Sequence, residues 1–406
     1  MTPPASNFQP PASSSSIQPP ASSITLSSAQ FTTSNRANWL LAIVSSVIAV
    51  GIAELTLRVA PIPAIQRVRM QQAVSRPEEE VHPRGLYTLH PQIGWTLTPG
   101  FSGRFRKADF DISVQASRDG LRDRDYGPKP AGTLRVLGLG DSFAFGWGVE
   151  NEESVFKVLE RSLNADGGRP VEVVNGGVPG FGTYEALQLL QTVGLRYEPD
   201  LVVLAFYEGN DYQNNGDAPR QRTLVDGYLK DVPAQPPSRF VRWMSAHSVL
   251  AALGKTQAQH VRTKRAFGAY LEKTKQQLAQ MRAVAVQRGI PLALLFIPDQ
   301  DPEVYSRPQV LRLYDKAVSG MTLAEARRQL KAFCRQQGIW YCPLSARFED
   351  GPEAAALRLK DTHWNAAGHA AAASELQQFL RQEGLIMVGP GAGDGGRGNY
   401  KSTAQR

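Results

Sequence analysis

Four short blocks of polar residues and glycines stand out in the sequence, because together they could supply a nucleophile, a base and hydrogen-bond donors. The first contains Ser142, which follows the apolar run 134–139. A serine just beyond the carboxyl end of a strand in an open α/β sheet lies where ligands bind. The alternative is that Ser142 only begins a helix after the strand. Three further blocks follow in order: Asn175-Gly176-Gly177-Val178-Pro179-Gly180, Gly209-Asn210-Asp211 and Asp361-Thr362-His363.

This ordered set resembles the SGNH hydrolases, also called the GDSL esterase/lipase superfamily, and in particular its bacterial membrane-anchored members. The family is named for a nucleophilic serine, an oxyanion-hole glycine, an oxyanion-hole asparagine and a catalytic histidine. The positions that match these here are Ser142, Gly180, Asn210 and His363. Any one block is weak evidence, since Gly-Asn-Asp occurs by chance in turns, whereas four blocks in order across residues 133–386 are specific.

The resemblance implies a mechanism with a Ser-His-Asp triad. A serine hydroxyl is a poor nucleophile at neutral pH and needs a base within hydrogen-bond reach. His363 can take the proton of Ser142 and later give it to the leaving group, while Asp361 would hold the imidazole in the productive tautomer. The negative oxygen of the tetrahedral intermediate would be stabilised by the backbone N–H groups of Ser142 and Gly180 and by the side-chain amide of Asn210.

The last block departs from the best-known family pattern, in which the aspartate stands further from the histidine. Only Thr362 separates Asp361 from His363 here, as in a shorter variant that is familiar from bacterial members. Asp141 and Asp211 are competing carboxylates. We expect a structural role for Asp141 and a loop-capping role for Asp211, which directly follows the oxyanion-type asparagine.

A metal site is the alternative use of the same region, with Asp361, His363 and His369 as ligands. The two histidines are six residues apart, so they do not share a helix face as metal-binding pairs at i and i+4 do. We therefore expect neither a metal nor another cofactor.

The N-terminal part of the chain contains a candidate membrane anchor. Residues 37–53 are uncharged and mostly apolar, and the segment 36–59 reaches the length of about 20 residues that crosses a bilayer. A cleaved signal peptide is the alternative. Such peptides begin with a basic region, whereas residues 1–35 carry no charged side chain, so an uncleaved signal anchor is the better interpretation.

The orientation of this anchor is less directly encoded. Arg36 precedes the segment while Arg58, Arg67 and Arg69 follow it, and a literal positive-inside count would leave the C-terminal side in the cytoplasm. Large domains translocate largely regardless of such charges, and the family resemblance implies an extracytoplasmic, periplasmic domain. We adopt the latter expectation.

The pattern of apolar runs predicts an α/β fold. Near-continuous apolar strands suit a parallel sheet that is buried on both faces, and their alternation with helices predicts a three-layer, doubly wound, flavodoxin-like SGNH fold. Alternating Phe110, Ile112 and Val114 indicate a half-buried strand in a smaller β-rich lead-in. The five predicted sheet strands are residues 134–139, 171–175, 201–207, 292–297 and 339–343.

Composition completes the predicted organisation. The tails lack residues that could form a core, and Gly120-Leu121-Arg122 resembles a motif that precedes the catalytic domain in anchored family members. Helical spacing from Phe267 to Ala285 predicts an amphipathic helix. The expected segments are a disordered Ser/Pro-rich tail 1–35, the anchor 36–59, a membrane-proximal lead-in 61–132, the hydrolase domain 133–386 with an insertion 212–290, and a disordered Gly-rich tail 387–406.

These observations predict a serine-dependent acyl-ester hydrolase or O-acyltransferase, with acylated envelope or extracellular glycans as candidate substrates. The alternative is a catalytically idle SGNH-like domain that binds glycan within an envelope assembly complex. The net charge of +8 is modest and no nucleic-acid-binding motif accompanies it, so nucleic acid is not expected as a partner. Cys334 and Cys342 could pair in an oxidising compartment or remain two buried thiols.

Overall fold

The computed structural model describes residues 28–59, 82–232, 238–299, 321–349 and 351–386. The chain divides into two units, Met1–Ile65 and Gln66–Arg406. In the first unit, helix α1 (Ser28–Val59) begins earlier than the predicted anchor, so residues 28–35 are helical. The rest of the predicted tails, and residues 61–81 of the lead-in, lie outside the described residues.

Helix α1 contains a candidate membrane span. Its segment Asn38–Val59 has a mean hydropathy of 2.2 and is long enough to cross a bilayer. Near its C-terminal end, Arg58 Nε donates a hydrogen bond to Glu54 Oε1 at 3.0 Å, which offsets the two charges. By length and composition the helix could serve as an anchor. A signal sequence would meet the same two criteria.

In the second unit, the described part of the lead-in consists of two antiparallel β-hairpins. Strand β1 (Tyr87–His90) pairs with β2 (Gly94–Leu97), and β3 (Ser102–Lys107) pairs with β4 (Phe110–Gln115). The predicted alternation in β4 is confirmed, since Ile112 and Val114 are buried. Both belong to the same hydrophobic core as the parallel sheet that follows, so the hairpins and the sheet fold around one core.

The motif Gly120-Leu121-Arg122 connects the lead-in to the loop after Ser142 through hydrogen bonds. Gly120 has a φ of +73°, and a Cβ there would lie 2.6 Å from the Leu97 carbonyl oxygen, so glycine is required. The Arg122 guanidinium is fully buried, and burial lowers its pKa to about 10. It donates to three carbonyl oxygens of the loop after Ser142: Phe145 (2.8 Å), Gly146 (2.5 Å) and Val149 (2.7 Å).

Beyond the lead-in, strands and helices alternate along the chain. In order they are β5 (Leu134–Gly140), α2 (Ser142–Phe145), α3 (Val155–Ala165), β6 (Val171–Gly177), α4 (Thr183–Thr192), β7 (Leu201–Tyr207), α5 (Asp211–Asp217), β8 (Arg222–Val225), β9 (Tyr228–Asp231), α6 (Arg239–His247), α7 (Val249–Gln287), β10 (Leu292–Ile297), α8 (Leu323–Gln337), β11 (Trp340–Pro343), α9 (Gly351–Ala356) and α10 (Ala366–Gln382).

The central sheet has the order β11-β10-β7-β5-β6 and is parallel throughout. Strands β5, β7 and β10 are buried along almost their whole length, because apolar side chains alternate between two covered faces. The five predicted strands and the doubly wound α/β fold are therefore confirmed. Helices α3 and α10 cover one face, and α4, α7 and α8 cover the other.

The sheet also separates the two cysteines. Cys334 of α8 belongs to the hydrophobic core on one face, whereas Cys342 of β11 belongs to the core on the other. Both are buried free thiols, and burial raises the pKa of each to about 12. Of the two interpretations of these residues, the structure shows two free thiols.

The insertion between β7 and β10 contains α5, the β8–β9 hairpin, α6 and α7. The predicted amphipathic helix is confirmed as the C-terminal half of α7. Its residues Leu271, Leu278 and Met281 are fully buried against the sheet-side core, at the spacing that places them on one helical face.

Candidate active site

The sheet topology brings three of the four sequence blocks to one edge. Strand β5 lies between β6 and β7, and the carboxyl ends of parallel strands meet at the same edge. Ser142 follows β5, Gly180 lies in the loop after β6, and Asn210 lies in the turn after β7. The fourth block, with His363, lies in the loop that leads into α10.

Ser142 and His363 are in direct contact. The distance from Ser142 Oγ to His363 Nε2 is 2.8 Å, and the serine is 7% exposed. When the imidazole proton is on Nδ1, Nε2 is free to accept the hydroxyl proton of Ser142. The geometry is that of a nucleophile and its base.

Asp361 lies on the other side of the same ring. Its Oδ1 is 3.1 Å from His363 Nδ1, which is ion-pair distance, although the alignment is poorer than that of a good hydrogen bond. Burial favours the neutral acid, but the hydrogen bond and charge of His363 and a hydrogen bond from Trp147 outweigh it, lowering the pKa of Asp361 to about 2. Asp361 is therefore ionised at neutral pH.

Trp147 is a site residue that the sequence motifs did not identify. Its Nε1 donates to Asp361 Oδ2 at 2.8 Å, and its ring stacks on the His363 ring at 4.9 Å and 22°. Trp147 lies in the loop held by Arg122 and is 4% exposed. Lys107 adds a cation on the outside, 3.7 Å from Asp361 Oδ2. The only sequence signal was an aromatic residue in the Gly-rich turn after the serine.

The short spacing in the last block requires an unusual backbone conformation. Thr362 has a φ of +76°, which a β-branched residue rarely adopts and which stores strain of about 1–3 kcal/mol. The surrounding chain holds it: Arg358 Nη1 donates to the Thr362 carbonyl at 2.6 Å, and Leu359 N–H donates to the His363 carbonyl at 2.7 Å. This turn lets Asp361 and His363 face one another with one residue between them.

The orientation of Ser142 is fixed by its neighbour. Asp141 caps α2 by accepting from the Phe143 N–H at 2.9 Å, as the predicted structural role requires. The Ser142 N–H is in the first turn of this short helix, where intrahelical acceptors are lacking. It is one of the three donors named for an oxyanion.

The other two expected donors, Gly180 and Asn210, lie in the loops that follow the strands on either side of β5. Gly180 has a φ of +81°, which a side chain would strain. Asn210 is at the N-cap of α5 but makes no capping hydrogen bond. Instead its Nδ2 lies 3.4 Å from Asp141 Oδ2, a long contact that leaves the amide able to turn to a substrate oxygen.

Two buried carboxyls support this arrangement. Asp211 Oδ2 accepts from the Tyr207 N–H at 3.0 Å, so it ties the start of α5 to the end of β7, consistent with the expected loop-capping role. Burial raises the pKa of Asp141 and of Asp211, and the charge of Asp141 raises that of Asp211 further. Asp141 and Asp211 thus accept hydrogen bonds from backbone N–H groups of these loops, whereas Asp361 lies beside His363 Nδ1.

His369, the third residue of the metal alternative, has other partners. It is buried in α10, packs edge-on against Trp364 and accepts from the Val155 N–H at Nδ1, 3.2 Å away. Burial lowers its pKa to about 3, so it remains a neutral acceptor. No group of three metal-binding side chains occurs within the described residues.

Comparison with known proteins identifies the family of the chain. The model of the GDSL-like lipase/acylhydrolase family matches residues 139–371. The chain belongs to this family. The match begins in β5 and extends into α10, so it includes all four blocks. The family is one of ester-hydrolysing enzymes. A separate comparison with curated proteins finds no match.

Solved structures of the family share low identity with the chain. The lipase/acylhydrolase of Enterococcus faecalis is 16% identical, with a TM-score of 0.37 over 62% of this chain and 96% of that one. The esterase EstA of Pseudoalteromonas sp. is 13% identical, with a TM-score of 0.38 over 62% and 99%. The lipase Lip_vut3 from a goat rumen metagenome is 18% identical, with a TM-score of 0.39 over 61% and 97%. Membership therefore rests on the family model.

Trp147→Phe tests the contact between Trp147 and Asp361, since it keeps an aromatic ring against His363 but removes the N–H donor. We expect kcat for p-nitrophenyl acetate to fall about ten-fold with little change in KM, because a hydrogen bond to a charged group contributes about 1.5–3 kcal/mol. Steady-state kinetics of the full-length protein measure both constants. Trp243→Phe is the matched control, because Trp243 is 57% exposed on α6. An unchanged kcat in Trp147→Phe would show that Asp361 does not depend on this tryptophan.

Proposed function

We propose that the protein is a serine-dependent acyl-ester hydrolase or O-acyltransferase that works through an acyl ester on Ser142. The family supplies the general activity, ester hydrolysis. The observation that carries the specific proposal is the 2.8 Å contact between Ser142 Oγ and His363 Nε2, with Asp361 on the far side of the imidazole. This is the order of groups that a serine nucleophile needs.

The proposed reaction has two halves. Ser142 Oγ attacks the ester carbonyl carbon while its proton passes to His363 Nε2, and the charge on the imidazolium is stabilised by Asp361. The carbonyl oxygen becomes negative and accepts from the N–H groups of Ser142 and Gly180 and from Asn210. The carbon–oxygen bond to the leaving alcohol then breaks, and His363 returns the proton to that alcohol. In the second half, an acceptor hydroxyl loses its proton to His363 and attacks the acyl carbon. The bond from that carbon to Ser142 Oγ then breaks, and His363 returns the proton to Ser142.

The acceptor decides between the two reactions. Water gives hydrolysis, and a sugar hydroxyl gives O-acyl transfer, with the same Ser142 intermediate in each. We propose acylated envelope or extracellular glycans as the substrates, since a membrane-anchored domain outside the cytoplasm would meet them there. The competing function, an idle glycan-binding domain, predicts no acyl-serine at all.

We further propose that residues 36–59 anchor the chain as a single-pass signal anchor, with the lead-in 61–132 and the hydrolase domain 133–386 in the periplasm. The apolar segment Asn38–Val59 supports the span. Alkaline phosphatase fused after Arg406 reports the side of the membrane, because it folds only where disulfides form. We expect an active fusion in intact cells. Activity from a cytoplasmic reporter alone would reverse the orientation.

A fluorophosphonate probe tests the nucleophile. If Ser142 forms the acyl-enzyme, we expect the probe to add one covalent label to the protein, and Ser142→Ala to abolish it. Intact-mass and peptide mass spectrometry measure the label and its position. His363→Ala should also lose turnover while keeping its melting temperature, because the side chain lies in a loop at the cleft. Labelling that persists in Ser142→Ala would remove Ser142 from the mechanism.

Asn210 provides a sharper test of the oxyanion hole. Asn210→Asp keeps the shape but replaces a donor with a carboxylate that repels the oxyanion, while Asn210→Ala removes the donor alone. We expect both to lower kcat by about 10² or more with little change in KM, and Asp to be at least as impaired as Ala. A residue that served only the start of α5 would tolerate Ala, because its side chain makes no capping hydrogen bond there. It would also tolerate Asp, because Asn and Asp suit helix starts about equally well. A near-normal rate in Asn210→Asp would therefore overturn the assignment.

A further inference from the structure

Two arginines from the insertion lie against the loop that carries Gly180. The N–H donors of Arg220 bind acceptors within the protein. It donates to the Gly180 carbonyl oxygen, to Glu185 Oε1 at 3.2 Å and to Asn214 Oδ1 at 2.9 Å. Arg220 therefore fixes the Gly180 loop and has little left to offer a ligand.

Arg222, the first residue of β8, is placed differently. Its Nη2 and Nη1 lie 3.6 and 3.8 Å from the point that a Cβ on Gly180 would occupy. The guanidinium lies over the Trp95 ring, 4.3 Å from its centroid, so an aromatic face supports it from one side. The terminal nitrogens thus lie next to the glycine that we propose as an oxyanion donor.

The charge of Arg222 is poorly compensated. The ion pair found for it among the described residues joins Nε to Asp231 Oδ1 at 2.8 Å, and the Asp231 side chain is 76% exposed while that of Arg222 is 18% exposed. Ion pairs to such exposed carboxylates contribute little. Burial, and then the neighbouring charge of Arg220, lower the pKa of Arg222 despite Asp231, so the exposed carboxylate does not offset the cost of burying the guanidinium.

The same wall of the cleft carries a second cation. Lys107 lies over Trp147 at 4.6 Å, and His82 packs edge-on against the same ring at 5.0 Å. Burial first, and then the charges of Lys107, Arg222 and His363, lower the pKa of His82 to about 3. His82 is therefore a neutral residue close to both cations.

The facing carboxylates are already engaged. Asp361 is held by Trp147 and His363, and Glu185 is paired with Arg220. Lys107 is partly neutralised by Asp361, 3.7 Å away, so the positive charge that an arriving anion would complement on this wall lies mainly on Arg222.

We propose that Arg222 is an anion subsite that binds a carboxylate of the substrate beside the ester that Ser142 attacks. Arginine suits this ligand because its planar fork matches a carboxylate in geometry and charge. The inference rests on the proposed function, because it places the reacting carbonyl next to Gly180, whose N–H would donate to the carbonyl oxygen. It adds a substrate class, carboxylate-bearing acyl esters, to an activity that neutral esters would also show.

Paired chromogenic esters test the subsite on the full-length protein in detergent micelles. One pair places the carboxylate on the alcohol side: 4-acetoxy-3-nitrobenzoate against 2-nitrophenyl acetate. The other places it on the acyl side: 4-nitrophenyl hemisuccinate against 4-nitrophenyl butyrate. The measured quantity is the ratio of kcat/KM for the anionic ester to that for its neutral partner. We expect Arg222→Gln to lower this ratio about ten-fold or more in one pair, and the affected pair identifies the side of the ester that Arg222 contacts.

Two variants separate charge from general damage. Arg222→Lys keeps the positive charge but not the planar fork, so it should lose less of the preference for the anionic ester than Arg222→Gln does. Arg118→Gln makes the same change in net charge at an arginine whose side chain is 86% exposed, and it should leave both ratios within about two-fold of wild type. Equal ratios in Arg222→Gln and wild type for both pairs would overturn the subsite while leaving the esterase intact.

A binding measurement keeps the test independent of turnover. Calorimetric titration of Ser142→Ala with 4-acetoxy-3-nitrobenzoate and with hemisuccinate monomethyl ester gives dissociation constants without hydrolysis. We expect one ligand to bind at least about ten-fold more weakly when Arg222→Gln is added. If wild type hydrolyses none of the esters, the proposed function fails, and this titration still decides the subsite. Identical binding of both ligands by the two proteins would refute it.

Discussion

The 2.8 Å contact between Ser142 and His363 joins two residues that are 221 positions apart in the chain, and the rest of the catalytic region is arranged around it. Ser142 is fixed by the end of β5, which lies between β6 and β7 in the sheet, and by the Asp141 cap. His363 is delivered by the turn before α10, which packs with α3 over the same face of that sheet. Any shift between α10 and β5 would therefore separate Ser142 from His363, the nucleophile and base that we propose.

A second line of contacts reaches this pair from the lead-in. Arg122 holds the carbonyls of the loop after α2, that loop carries Trp147, and Trp147 contacts both Asp361 and His363. Trp147 also compensates for the modest alignment between Asp361 and the imidazole, because it fixes the second carboxylate oxygen. The two hairpins before the sheet are thus more than a spacer, since they share its core and brace its reactive loop.

The electrostatics of the site divide into a buried and an exposed part. Asp141 and Asp211 are fully enclosed, where burial favours their neutral forms, and they serve to tie loops together. Asp361 is kept ionised by its donors. Lys107 lies 3.7 Å from Asp361, and Arg222, next to Gly180, adds a second positive charge. Positively charged side chains at a site attract anionic ligands. Lys107 and Arg222 therefore affect the choice of substrate rather than the fold.

Local sequence determined the strands and the order of the blocks. Near-continuous apolar runs suit strands that are buried on both faces, so β5, β7 and β10 were predictable. The candidate roles of Ser142, Gly180 and Asn210 came from the resemblance of their ordered blocks to the SGNH family. The amphipathic half of α7 was equally plain, because its period of apolar residues is a property of neighbouring positions.

The tertiary structure decided what depends on residues distant in sequence. The sequence allowed Cys334 and Cys342 either to form a disulfide or to remain two thiols. In the structure they lie in cores on opposite faces of the sheet, as two free thiols. The sequence left Asp361 in competition with Asp141 and Asp211, and the positive φ of Thr362, which no propensity predicts, turned Asp361 towards His363. Trp147, Lys107, His82 and Arg222 carry no motif, since their roles arise only where the lead-in and the β8–β9 hairpin meet the ends of the parallel strands. Strands and amphipathic helices can be predicted from neighbouring positions in the sequence. The surroundings of the site cannot, because they are formed by segments that only folding brings together.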